Sequence, residues 1–267
     1  MAPDIHTPEN DEEESSLPIA APCRRISATA PFAWIKAGWS DMRRAPKQSL
    51  SYGLAITLMS YLVSFMALKL GNWVILLALL SGFIFIGPVT AIGMYAISAQ
   101  LQRGQQPSLA RCLGEERKCV GNAMVFALLL MVIFLVWARA ASMLHIFFPM
   151  EADPDWRQTL TFYSIGSAVG SLFAIITFSL AAFSLPMILD RKVDAITAVV
   201  TSINAVLRNK PAMAVWITLI VLATALGFAT AFLGLAITMP LIGHATWHGY
   251  QATIDASAFP PNQAPES

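Results

Sequence analysis

Three observations predict an all-α, polytopic membrane protein with six transmembrane helices in three hairpins and short interfacial cytoplasmic helices. Of 267 residues, 56% are hydrophobic and only 12% are charged, whereas a soluble domain carries charge on roughly 25% of its residues. The apolar residues gather in blocks of about 20, which at about 1.5 Å per residue match a hydrocarbon core of about 30 Å. Lys and Arg lie almost entirely in alternate gaps between the blocks, which favours an even number of crossings. The net charge of +1 gives no basic field to hold a nucleic acid.

The chain begins with an acidic stretch, Asp11 to Glu14, with prolines and no apolar core of a secretory signal. Residues 1–31 are therefore expected to be a disordered cytoplasmic tail, residues 32–254 the membrane domain, and residues 255–267 a second disordered tail. A first span is expected over about Leu50 to Leu70, and Gly71-Asn72 offers a turn into a second, about Trp73 to Ser98, kinked near Pro88. A polar stretch, Leu101 to Lys118, precedes a third span over about Val120 to Met143, followed by a short amphipathic piece, Leu144 to Met150, and an acidic loop.

The fourth span, about Thr159 to Leu189, is longer than a bilayer needs, so it tilts or bends at Pro186. Residues Val193 to Lys210 place Ile196, Val199, Val200, Ile203, Val206 and Leu207 three and four apart, the spacing of one apolar helical face, as in an interfacial helix. The fifth and sixth spans, about Ala212 to Thr230 and Phe232 to Tyr250, leave almost no loop between them. Cys23, Cys112 and Cys119 all fall in segments assigned to the cytoplasm, where thiols stay reduced, so no disulfide is expected.

Counting bases by gap fixes the orientation. Fourteen of the seventeen Lys and Arg fall on one side: six between Arg24 and Lys47, four between Arg103 and Lys118, and Arg191, Lys192, Arg208 and Lys210; only Lys69, Arg139 and Arg157 fall elsewhere. The positive-inside rule then places both termini in the cytoplasm of a cell whose inner membrane holds the protein.

The second helix of each hairpin carries a proline near its cytoplasmic end: Pro88, Pro186 and Pro240. Before the first and third hairpins, GWSDMRRAP and INAVLRNKP both run from an amphipathic stretch through bases into proline, and the middle hairpin lacks that proline. Internal repetition would give three pseudo-symmetric hairpins; independent placement of prolines near helix ends gives the same pattern. Gly38-Trp39, Gly87-Pro88, Tyr95, Pro186-Met187 with Asp190-Arg191, and the segment Pro240-Leu241 through His244, Trp247, His248 and Tyr250 resemble the bacterial predicted integral membrane proteins grouped as domain of unknown function 2189. That resemblance covers about Phe32 to Ile254, is most specific in GHATWHGY, and implies a six-span bacterial membrane fold of unassigned activity.

Candidate sites follow from the few polar groups near the spans. His244 and His248, four apart, share a helix face as two metal ligands would, but zinc needs three or four ligands; the plainer reading is an interfacial belt with Trp247 and Tyr250. Arg139, about eighteen residues into the third span, either snorkels at the far interface, beside Glu151, Asp153 or Asp155, or faces inward toward an anionic substrate. Pro88, Pro186 and Pro240 expose carbonyls that a transporter would use to coordinate cargo. Gly166 and Gly170 form a GxxxG suited to close helix packing, within the monomer or across a homodimer.

Catalytic motifs such as GxSxG, P-loop, HExxH or CxxC are absent, and no Asp or Glu lies inside a span. The expectation is a non-enzymatic structural, regulatory or accessory membrane component without cofactors, its partners the lipid bilayer and either another membrane protein or a second copy of itself, with no nucleic acid. A small-solute or lipid transporter and a metalloprotein using His244 and His248 are the alternatives.

Overall fold

The structure, a computed structural model, describes residues 18–70, 90–148 and 155–262. Regular structure among the described residues is helical apart from two isolated β-bridges. The helices are α1 (Ala30–Arg44), α2 (Pro46–Leu70), α3 (90–102), α4 (Leu109–Phe147), α5 (Trp156–Ala181), α6 (Ser184–Asp190), α7 (Ala195–Arg208), α8 (Lys210–Ala229) and α9 (Leu235–Thr253). Pro88 and most of the second expected span lie outside the described residues.

Among the described residues, four stretches are long and apolar enough to cross a membrane: Pro46–Met66, Cys119–Leu144, Trp156–Asp190 and Lys210–Ala229. Their outward faces are aliphatic. Leu54 and Leu58 on α2, Leu128 and Leu135 on α4, Leu160 and Leu172 on α5, and Val221 and Leu222 on α8 are each more than half exposed. A continuous apolar surface of this kind is stable against lipid and not against water.

The protein's own core sits at the end that carries the basic residues. Trp34 of α1, Ile97 of α3, Cys112 and Phe126 of α4, Phe183 and Met187 at α6, Ala198 of α7, Trp216 of α8, and Trp247 and Tyr250 of α9 are all buried there. Trp34 stands edge-on to Trp216, with centroids 5.5 Å apart, and to Phe183 at 6.2 Å. Such T-shaped pairs set the positive ring edge against a negative face.

Proline decides where interfacial helix and span separate. Pro46 and Pro211 restart the chain as α2 and α8, each suited to a first helical turn, where its missing N–H would be unpaired anyway. The middle copy lacks such a proline, so polar stretch and third span are one helix of 39 residues, and the piece expected separately from Leu144 runs on in it to Phe147.

At Pro186 the fourth span breaks instead of tilting: α5 ends at Ala181 and α6 begins at Ser184. The Phe183 N–H donates to Ser202 Oγ at 3.1 Å, and that hydroxyl donates to the Ser179 carbonyl at 2.9 Å. Ser202 of α7 thus stands in the backbone bond that the break opens, the means by which membrane helices tolerate interruption.

Asp194 caps α7, accepting from the amides of Ile196 and Thr197 at 2.8 and 2.9 Å. Burial acts to raise its pKa, but the hydrogen bonds from Thr197 and Ile196 outweigh it and hold the carboxyl below its ordinary value. The apolar face expected on this helix is divided: Val199 and Val206 are buried, while Ile196, Val200 and Leu207 are exposed.

Parts of both segments expected to be tails pack onto the core. Arg24 N donates to the Thr253 carbonyl at 2.7 Å and Asp255 N to that of Pro22 at 2.8 Å, pairing residues 22–24 with residues 253–255 side by side. Asn209 holds the first of them, accepting from Ile26 N and donating to the Arg24 carbonyl, each at 2.9 Å. Ala21, Cys23 and Phe259 are buried, and Asn262 donates to the Ile188 carbonyl at 2.7 Å. Cys23, Cys112 and Cys119 are buried, and none of them is in a disulfide.

Candidate functional site

The segment GHATWHGY lies in the second half of α9, enclosed by α1, α2, α3 and α6. The expected interfacial belt is corrected here: His244, Trp247 and Tyr250 are almost completely buried and face protein, not headgroups. What brings them inside is the close approach of α9 to two glycines. A side-chain carbon on Gly38 of α1 would lie 2.7 Å from the Ala245 amide nitrogen, and one on Gly53 of α2 would collide with the Ala236 carbonyl.

Pro240 explains the second contact. It leaves α9 continuous, but with no N–H it cannot serve the carbonyl of Ala236, four residues earlier. That carbonyl lies where a Gly53 side chain would begin, so a glycine α-hydrogen meets the acceptor that proline leaves unused.

Between them, His244, Trp247, His248 and Tyr250 reach four other helices. Ser49 Oγ of α2 lies 2.8 Å from His244 Nε2, and Ser98 Oγ of α3 lies 2.8 Å from His244 Nδ1. Ser49 Oγ also lies 2.9 Å from the Ala45 carbonyl, and with its one hydroxyl hydrogen given there it accepts from Nε2–H. Nδ1 is then the acceptor for the Ser98 hydroxyl, and the network specifies one neutral tautomer.

Trp247 Nε1 donates to Gln102 Oε1 at 2.9 Å, His248 Nε2 lies 2.8 Å from Asp41 Oδ2 on α1, and the Tyr250 hydroxyl donates to Asp190 Oδ2 at 2.8 Å. Arg191 Nε donates to the same Asp190 oxygen at 3.0 Å, so Asp190-Arg191 is tied into the core and is not a solvated pair. The Asp41 side chain is 7% exposed and that of His248 20%. Burial of that carboxylate requires its partner, because an unpaired buried charge is costly.

As chemistry, this arrangement is a set of locks. Both nitrogens of His244 are engaged by hydroxyls, and one of His248 by a carboxylate; among the described residues no three or more of His, Cys, Asp and Glu come together as metal ligands would. The sequence did not single out Ser49, Ser98, Asp41, Gln102 or Gly53. Asp41 carried a signal: it shares the helical face of Trp34 and Gly38, where an acid needs a buried partner.

The other expected residues lie apart. Pro186 and Pro240 are both buried at the core end, and Arg139 is exposed on the outer face of α4. A carbon on Gly166 would meet Leu144 Cδ2 at 3.2 Å, whereas one on Gly170 would meet nothing within 4 Å. Gly170 instead lines a membrane-level groove of about 580 Å³ with Leu130, Phe134, Trp137, Phe173 and Ile217.

No curated protein and no solved structure matches the chain. Residues 75–190, which hold Pro88 and Pro186, match the family model described as Predicted integral membrane protein (DUF2189).

Proposed function

We propose that the chain is a non-enzymatic structural, regulatory or accessory component of a bacterial inner membrane, crossing it six times as three hairpins with both termini in the cytoplasm. The observation that carries this reading is that the ring and hydroxyl groups of GHATWHGY that face the core are spent on partners within the chain. His244, Trp247, His248 and Tyr250 bond to side chains of the same chain. The Ser179 carbonyl opened at the Pro186 break is taken by Ser202, and the Ala236 carbonyl left by Pro240 abuts Gly53. Carbonyls so occupied are not offered to a passing solute.

The even number of crossings draws support from the pairing of residues 22–24 with residues 253–255. Purified protein in sealed vesicles is expected to leave the flux of ions, sugars and amino acids at the protein-free rate. Selective flux of any of them would remove the proposal. A second reading, lipid handling, draws on the groove between α4, α5 and α8, and accelerated exchange of a labelled phospholipid between leaflets would favour it.

A further inference from the structure

The charges and aromatics of α1 divide by face. Pro31, Trp34, Gly38, Asp41 and Met42 are buried against the core. Asp41 is the one acid of the helix, and His248 holds it inside. Phe32, Lys36, Trp39 and Arg43, spaced by four, three and four residues, form a single stripe on the exposed side, with Phe32 58% and Trp39 45% exposed. Arg44 and Lys47, also exposed, continue the positive charge to the start of α2, where Leu50, Leu54 and Leu58 begin an exposed aliphatic face.

We propose that this stripe of α1 is a recognition surface for anionic phospholipid headgroups, lying in the plane of the membrane interface. Three properties select that partner over a soluble one. The outward charges are all positive because the only carboxylate is turned inward. Two large aromatics stand among them, as amphipathic rings do where headgroups meet acyl chains. The stripe is also continuous, through the single residue Ala45, with the face that α2 turns to lipid, so a headgroup at Arg43 or Arg44 leaves its acyl chains beside Leu50 and Leu54. Phosphodiester oxygens accept from guanidinium and ammonium groups, and each base at the surface of an anionic leaflet adds to binding.

The test uses the full chain in nanodiscs of phosphatidylcholine, with and without phosphatidylglycerol. Phosphatidylglycerol is expected to raise the thermal midpoint at low salt, and the rise is expected to vanish in K36Q/R43Q/R44Q, which keeps the wild-type midpoint in phosphatidylcholine alone. R111Q/R117Q/K192Q, which removes three exposed bases from other elements, is expected to keep the rise. Loss of the rise in both triple variants, or in neither, overturns the proposal.

Nitroxide labels at Phe32→Cys and Leu58→Cys read depth separately. Relaxation at position 32 by lipid-soluble oxygen exceeding that by a water-soluble nickel chelate supports the proposal, and the reverse overturns it. The label at position 58 reports whether α2 itself spans, so failure of the membrane assignment is distinguishable from failure of the headgroup site.

Discussion

Replacing Gly53 by valine is expected to destabilise the protein by about 3 kcal/mol, the upper range for forcing volume into a packed interior. The atom that the new side chain meets is the carbonyl of Ala236, which is backbone and cannot swing aside. Relief requires α2 to withdraw from α9, and withdrawal breaks more than one contact. Ser49, one turn before Gly53 on the same helix, would leave His244, and the Tyr61 hydroxyl would leave the Ala231 carbonyl in the turn between α8 and α9. Gly170→Val is the matched control, because nothing lies within 4 Å of that site; it is expected to stay within about 0.5 kcal/mol of wild type. Thermal unfolding of both variants in one detergent gives the comparison.

His244→Ala is the second large effect, expected at about 3 kcal/mol from two sources. A buried ring is removed from a site with no exposure, leaving a cavity. The Ser98 hydroxyl loses its acceptor inside the protein, and an unsatisfied buried donor costs about 1–3 kcal/mol. Ser49 suffers less, because its hydrogen is already given to Ala45. His244→Asn, which keeps an amide to meet one serine, is therefore expected to recover part of the loss in the same thermal unfolding, and no recovery would contradict the hydrogen-bonding role of the ring.

Much of the membrane architecture is legible in the residues. Hydropathy places the start of α2 to within a few residues, and the bases around Arg44 and Arg208 mark the end where the core forms. Proline spacing accounts for the starts of α2 and α8 and for the break before Ser184. The absence of a proline near Lys118 accounts just as well for the continuity of α4, although a polar stretch there suggested a separate element.

The orientation of GHATWHGY was not legible, because hydropathy cannot distinguish a histidine facing headgroups from one facing Ser49 and Ser98. Those serines are 195 and 146 residues away in the chain, and neither has a pattern of its own. Close packing against α9 was hidden for a similar reason: Gly166 and Gly170 have the familiar spacing, whereas Gly38 and Gly53, isolated in sequence, carry that contact. Order in residues 18–29 and 255–262 was hidden too, since polar, proline-rich ends pair only once the fold brings Arg24 to Thr253.

The central claim is that the polar residues of GHATWHGY hold α9 to its neighbours, and the pair Asp41 and His248 tests it most directly. Thermal unfolding of Asp41→Asn, His248→Gln and the double variant forms a cycle in which each single change leaves one buried partner without its mate. The account predicts a coupling of about 1 kcal/mol or more, with the double variant less destabilised than the sum of the two singles. Additive losses, with no coupling, would contradict it.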